Sequence, residues 1–306
     1  MRPPFRPTAR FLPLPALLFL LGGSVPLPAQ QPLKVHISVD MEGIAGVVGP
    51  EQLGPSGFEY QRAREFMTGE LLAAIEGARA AGATEILVAD SHGNGQNLLI
   101  DRIPADIMVV RSWPRSLGMM AGLDSSFAAA VFIGYHSSTA SLDGVRAHTM
   151  SSANYAGLRL NGVEVPEGGW NAAIAAHFGV PVVMVSGDEA AVAELRTLLG
   201  DVEGAVVKRP LGFHAAVTMT PDAARSLIRD RVRSAIGRLG RFRPWRQRSP
   251  VTVDLTFKNY QPAQVLAMLP WFQRTTAHAV RFQARDMVEA SNIMEFISRY
   301  EPGLAP

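Results

Sequence analysis

Asp40-Met41-Glu42 places two carboxylates one residue apart at the end of an apolar run, Lys34 to Val39. In extended backbone residues i and i+2 point to one side, so both acids can face the same ion while Met41 packs away. Gly43 follows and permits a sharp turn. A hard or borderline divalent cation needs such anionic oxygens, and one carboxylate can bridge two ions. Taken alone, an Asp-x-Glu pair is more often a solvated loop acid. Partners are needed, and His92 and His136 qualify: each follows an apolar run of its own, Glu85 to Ala89 and Ala129 to Ile133. Neutral imidazole is the commonest nitrogen ligand for zinc, whereas a lone histidine is usually a hydrogen-bonded interior or loop residue. Glu167, in Val165-Pro166-Glu167-Gly168-Gly169, is a further ligand candidate or a capping acid ahead of a helix beginning near Trp170. His148, on a loop after Gly144, is a ligand, a general base or a surface residue; spacing does not decide.

Other chemistries lack their residues. With no cysteine, the chain has no disulfide, thiolate nucleophile or Cys-ligated zinc, so a metal must sit on His, Asp and Glu. Walker A, Gly-x-Ser-x-Gly and His-Glu-x-x-His patterns are missing. Gly93-Asn94-Gly95-Gln96-Asn97-Leu98 starts like a dinucleotide-binding loop, but Leu98 stands where the third glycine belongs.

These groups require elements to position them. The runs Lys34 to Val39, Glu85 to Ala89, Ala129 to Ile133 and Pro181 to Val185 read as buried strands. Between them, Phe58 to Ala81 reads as a helix stopped by Gly82, and Trp170 to Phe178 as one stopped by Gly179. Asp188 caps a helix to Leu199. Alternation of strand and helix predicts an α/β fold with a largely parallel sheet flanked by helices. Asp40, Asp90-Ser91-His92 and Gly134-Tyr135-His136 then lie at strand C-terminal ends, the edge where open α/β sheets bind ligands. Thr220-Pro221 starts another helix, followed by a strand at Val251 to Phe257, a helix at Pro262 to Leu269, a strand at Ala277 to Phe282 and a helix at Asp286 to Arg299.

Arg2, Arg6 and Arg10 precede an apolar stretch, Phe11 to Gly23, that is short and broken by Pro13 and Pro15. It reads as a secretory leader over residues 1–29, cut after Ala29, rather than a stable membrane anchor. Export to the periplasm or the exterior follows. Without those three arginines, 26 basic residues face 27 acids, a formal charge of −1 against +2 for the whole chain. The expected organisation is a leader at 1–29, an α/β metal-binding catalytic domain at 30–210 and a smaller α+β domain at 211–306. Nine arginines lie between Arg225 and Arg248, with only Phe242 and Trp245 as aromatic companions, so a solvated helix face is favoured over a nucleic-acid contact.

The chain resembles the D-aminopeptidase family of zinc metallopeptidases from about Lys34 to Glu295. The likeness rests on Ser38-Val39-Asp40-Met41-Glu42-Gly43-Ile44, Asp90-Ser91-His92, Gly134-Tyr135-His136, His148-Thr149-Met150, Glu167 with Asn171 nearby, and Pro181 to Asp188. It implies two zinc ions per subunit held by Asp40, Glu42, His92, His136 and Glu167, and a catalytic role for His148. It also implies release of N-terminal D-amino acids such as D-Ala from short peptides, and a ring-shaped homo-oligomer, with a decamer as the candidate size. Gly49 to Gly57 and Ser137-Ser138-Thr139-Ala140 depart from the family type. Exported to the cell surface, such an enzyme would meet D-Ala in cell-wall peptides. Two other readings of the same residues are a dinuclear phosphoesterase, with Arg111, Arg115 or Arg146 as its cations, and an exported metal- or solute-binding protein whose ligands leave no open position.

Overall fold

Strand alternation in the first apolar run already assigns its two faces. Val35, Ile37 and Val39 enter one core, and His36, Ser38 and the following Asp40 point the other way. The computed structural model describes residues 32–300, with residues 1, 3 and 4 besides. The apolar run of the expected leader and its cleavage point lie outside them.

In chain order the elements are β1 (Lys34–Val39), α1 (Tyr60–Ala80), β2 (Glu85–Asp90), β3 (Met108–Val110), β4 (Ala129–Tyr135), β5 (Tyr155–Leu160), β6 (Val163–Glu164), α2 (Glu167–His177), β7 (Val182–Asp188) and α3 (Glu189–Leu199). There follow β8 (Glu203–Gly212), β9 (Ala215–Thr218), α4 (Pro221–Ile236), β10 (Val251–Phe257), α5 (Tyr260–Leu266), β11 (Gln273–Arg274), β12 (Ala279–Ala284) and α6 (Met287–Arg299). The first sheet has seven strands in the order β3-β2-β1-β4-β7-β8-β9, all parallel except the antiparallel edge strand β9. The α/β expectation holds. Both faces are covered: β1 and alternate residues of β4 (Ala129, Val131, Ile133) join α1 and α4 in one core. Ala130 and Phe132 of β4 pack with α2, α3 and the second sheet in the other. Such two-sided burial is why these strands read as unbroken apolar runs.

The second sheet, β11-β12-β10-β5-β6, is antiparallel throughout. Only one of its faces is buried, shown by β10, where Val251, Val253, Leu255 and Phe257 point inward and the intervening residues are half-buried. α6 caps this sheet, and Asp286 accepts from the Glu289 amide at its start.

The boundary expected near residue 210 does not divide the fold: from Pro32 onward the chain forms one compact unit. Residue 210 falls inside β8, whose backbone continues the first sheet. Beyond it, Ala224, Ile228 and Val232 of α4 share a core with β1, while β5 and β6 from the earlier part belong to the second sheet. The two sheets are interleaved in sequence. The arginine-rich segment is paired with acids: Arg231 and Arg238 both meet Glu203, Arg229 and Arg233 meet Asp230, and Arg241 meets Asp201. Among the described residues, no helix is long and apolar enough to cross a membrane.

Candidate metal centre

Strand register brings the separated segments together. Val39 pairs with Asp90 on one side and Ile133 on the other, so β1, β2 and β4 end level. Asp40 and Glu42 leave β1, His92 lies two residues past β2 and His136 one past β4, all at the same sheet edge. Gly43 serves closeness of approach more than turning: a Cβ there would stand 2.0 Å from the Tyr135 carbonyl oxygen. Its amide donates to Gly134 O at 2.7 Å, which pins the acidic turn onto β4. Gly134 itself has φ of +72° and would place a Cβ 2.2 Å from Asp40 O, so two glycines face each other where the strands meet. Met41 is fully buried in the apolar core, as its place between the two acids requires.

His92 Nδ1 lies 2.9 Å from Glu42 Oε2 and 3.2 Å from Asp40 Oδ1. His136 Nε2 lies 3.3 Å from Asp40 Oδ2 and 3.6 Å from Glu167 Oε1. Asp40 thus stands between the two imidazoles, one oxygen to each. His148 stacks on His136, ring centroids 3.9 Å apart and planes within 10°. These six side chains are at most 8% exposed. Glu167 does not act as a capping acid: it opens α2, three residues earlier than expected, and its Oε2 accepts from the Met150 amide at 2.8 Å. His148 is not a surface residue.

Each imidazole is oriented by a backbone carbonyl. His92 Nε2 meets Leu53 O at 2.8 Å, His136 Nδ1 meets Ser137 O at 3.1 Å and His148 Nδ1 meets Arg146 O at 2.8 Å. A carbonyl only accepts, so the proton sits on those nitrogens, and His92 Nδ1, His136 Nε2 and His148 Nε2 keep the lone pair in the neutral ring. Metal-ligating histidines are held in this way, the far ring nitrogen donating to a carbonyl and fixing the lone pair of the other towards the ion.

Electrostatics agree. Burial, reinforced by the Glu42 charge, raises the Asp40 carboxyl above its usual range. Burial also pushes Glu42 up, but the charge and hydrogen bond of His92 outweigh it and hold Glu42 well below the carboxylate range. Glu167 is lowered in the same way, burial being overcome by His136. Burial disfavours charge on His92 and His136, yet the surrounding carboxylates hold both well above the ordinary imidazole value. His148, by burial and then by the charge of His136, is lowered. Three carboxylates packed into one buried space therefore demand cations, and a divalent ion would displace the imidazole protons. Asp40 Oδ2 is buried and makes no well-aligned hydrogen bond among the described residues, its neighbour His136 Nε2 lying 3.3 Å away, which leaves a lone pair placed as a metal ligand's would be. The donor set fits zinc. Ligand atoms of Asp40, Glu42 and His136 lie within 4.8 Å of one another, as do those of His136, His148 and Glu167.

Supporting residues hold the loops. Asp90 accepts from the Asn97 and Leu98 amides at 2.6 and 2.8 Å and from Asn97 Nδ2 at 2.8 Å, which folds the Gly93 to Leu98 segment back behind His92. Asp188 caps α3 through Ala191 N and also accepts from Val145 N at 2.7 Å, tying the His148 loop to β7. Sequence reasoning missed Lys208, whose buried ammonium donates to the carbonyls of Glu42, Ile44 and Val47. Burial pushes it down to about 8. Its signal was a single lysine closing the apolar run Ala205-Val206-Val207. Arg115, one of the cations weighed for phosphate, is spent on Asp90 O and Gly118 O.

Comparison with known proteins agrees with the geometry. A family model described as D-aminopeptidase matches residues 33–296. A D-aminopeptidase of Bacillus subtilis (strain 168) is 33% identical over 266 residues, covering 86% of this chain and 95% of that protein. The solved structure of the Zn-dependent D-aminopeptidase DppA from Bacillus subtilis, described as a self-compartmentalizing protease, superposes with a TM-score of 0.84 at 31% identity, over 87% of this chain and 97% of that one. The chain belongs to the D-aminopeptidase family.

Proposed function

We propose that the protein is a zinc-dependent aminopeptidase that removes the N-terminal residue, a D-amino acid such as D-Ala, from short peptides. The observation that carries this reading is the buried cluster of three carboxylates and three carbonyl-oriented imidazoles. Asp40, Glu42, His92, His136 and Glu167 would hold two ions there, Asp40 being the carboxylate that faces both His92 and His136. Zinc held there supplies Lewis acidity, which lowers the pKa of water towards about 7 and polarises a carbonyl.

The chain's own groups do the rest. His148, with Nδ1 committed to Arg146 O, offers Nε2 beside His136 and Glu167, where it takes a proton from the attacking water and returns it to the leaving nitrogen. Next to the cluster a cavity of about 360 Å³, bordered by Glu167, Trp113, Trp170 and Glu295, has the size for a short peptide.

Assembly into a ring-shaped homo-oligomer, with ten subunits as the candidate size, is part of the proposal. It is supported by the description of the DppA structure and by exposed Leu142, Leu211, Phe213 and Val217 around the β8–β9 hairpin. Export rests on the three arginines and apolar run of the N-terminal segment. There, D-Ala-containing cell-wall peptides are the proposed substrates.

Hydrolysis of paired D-Ala and L-Ala p-nitroanilides by the mature protein tests the activity. Faster release from the D compound is expected. Preference for the L compound would sink the D-specific reading and leave the hydrolase intact.

A further inference from the structure

Asn171 stands one helical turn after Glu167, on the same face of α2, and is 1% exposed. It borders the cavity together with Glu167 and Ser91. Its Nδ2 lies 3.0 Å from Met119 Sδ and 3.1 Å from Tyr135 Oη. A thioether sulfur has no hydrogen to give, so the amide nitrogen and not the oxygen faces Met119. Both amide hydrogens are thereby committed. Tyr135 passes its own hydrogen to Ser38 Oγ at 2.8 Å, and Ser38 pairs with Ser91 Oγ at 2.8 Å. This buried chain fixes the amide in one orientation. Asn171 Oδ1 is left without a partner among the described residues, beside the metal centre and at the wall of the cavity.

We infer that Asn171 Oδ1 receives the α-ammonium of the substrate's N-terminal residue, and that Tyr135, Ser38 and Ser91 position it for that contact. The inference rests on the aminopeptidase reading and adds to it the atom that tells a free N-terminus from a blocked one. An ammonium carries three donors and no acceptor, and a neutral amide oxygen accepts from it without adding another anion that would compete for the metal. Glu167, on the preceding turn, supplies the negative field. A substrate lacking the amine leaves a buried acceptor unpaired, and sites built around such hydrogen bonds reject such analogues strongly.

The test compares two ligands on the zinc-loaded protein by calorimetry: D-alanine hydroxamate and propionohydroxamate. They share the metal-binding group and differ only in the α-amine. The wild type is expected to bind the amine compound about 10- to 100-fold more tightly, the range of one charge-assisted hydrogen bond. Asn171→Ala should bring that ratio to within about threefold of unity, with propionohydroxamate affinity held to within about twofold. Tyr135→Phe, which keeps the amide but removes its anchor, should give an intermediate ratio. A wild type without discrimination, an Asn171→Ala variant with the wild-type ratio, or an equal loss for both ligands would each overturn the inference. If Asn171→Ala does not fold, Tyr135→Phe decides: an unchanged ratio contradicts the inference and a lowered one supports it. Hydrolysis of D-alanyl p-nitroanilide by the wild type is recorded alongside. No hydrolysis with the amine discrimination intact would bring down the aminopeptidase reading and leave the amine site standing.

Discussion

In the seven-stranded sheet the level ends of β1, β2 and β4 bring Asp40, Glu42, His92 and His136 into one buried cluster, and none of these candidate ligands comes from the five-stranded sheet. The five-stranded sheet and α6 supply Tyr155, Glu295, Ser298 and Arg299 to the wall of the neighbouring cavity. The contrast is one of burial. Two-sided burial around the first set makes every charge there costly unless a cation answers it. The second set stands at a one-sided sheet, where Arg281 and Asp254 pair at 2.7 Å across the solvent face. On the proposed reading, chemistry belongs to the first region, and shape to the second.

The sharpest way to break this comparison is to remove one carboxylate from each region. Glu42→Ala should lower kcat/KM on the order of 10³-fold, because several kcal/mol of metal-assisted stabilisation go with the ligand. Bound zinc should fall with it, as read by metal analysis. Asp254→Ala, in the second region, should leave activity within about twofold and stability within about 1 kcal/mol, the range of an exposed pair. Equal losses from the two variants would erase the distinction.

His148→Ala separates proton handling from metal holding inside the first region. Turnover is expected to drop about 10²- to 10⁴-fold while zinc content stays at the wild-type level. Loss of zinc in this variant would make His148 a ligand, and unchanged turnover would remove it from the mechanism.

A smaller effect probes how far two-sided burial reaches from the metal. Glu70 on α1 is buried, with one oxygen accepting from the Ala45 amide at 2.8 Å and the other unpartnered among the described residues. Burial raises its carboxyl to about 7. The folded state therefore holds a proton that the unfolded state releases near pH 4.5, and stability contributed by the neutral acid is lost as pH rises from there to about 7. Glu70→Gln, neutral throughout, should match the wild type near pH 4 and exceed it by up to about 3 kcal/mol at pH 8. Denaturant unfolding at the two pH values measures this, and a constant difference would contradict it.

The same contrast explains what could be read in the sequence. β1, β2, β4 and β7 announced themselves as apolar runs because both of their faces are buried, and the candidate ligands Asp40, Glu42, His92 and His136 follow the ends of the first three. Asp40, Glu42, His92, His136, Glu167 and His148 are all brought together. β5 and β6 were not legible, since Tyr155–Leu160 mixes Arg159 and Gly157 into a half-exposed strand whose pairing partner, β10, lies some ninety residues later. The boundary near residue 210 failed for the same reason: non-local pairing leaves no local composition signal. Beside the ligand reading, a capping role for Glu167 stayed open because local sequence shows the helix start and not the Met150 amide whose hydrogen it accepts. Lys208, and the hydrogen bonds of the Asn171 amide, were hidden because they are made to carbonyls, a sulfur and a phenol brought in from elsewhere.

The central claim is that the buried carboxylate–imidazole cluster holds the metal on which activity depends. Its most direct test is stoichiometric zinc titration of chelator-stripped protein, with D-Ala p-nitroanilide hydrolysis followed at each addition. The expected result is an inactive stripped protein whose activity returns in step with zinc and saturates near two ions per chain. Full activity in the stripped protein, or zinc bound to saturation without any hydrolysis, would contradict the account.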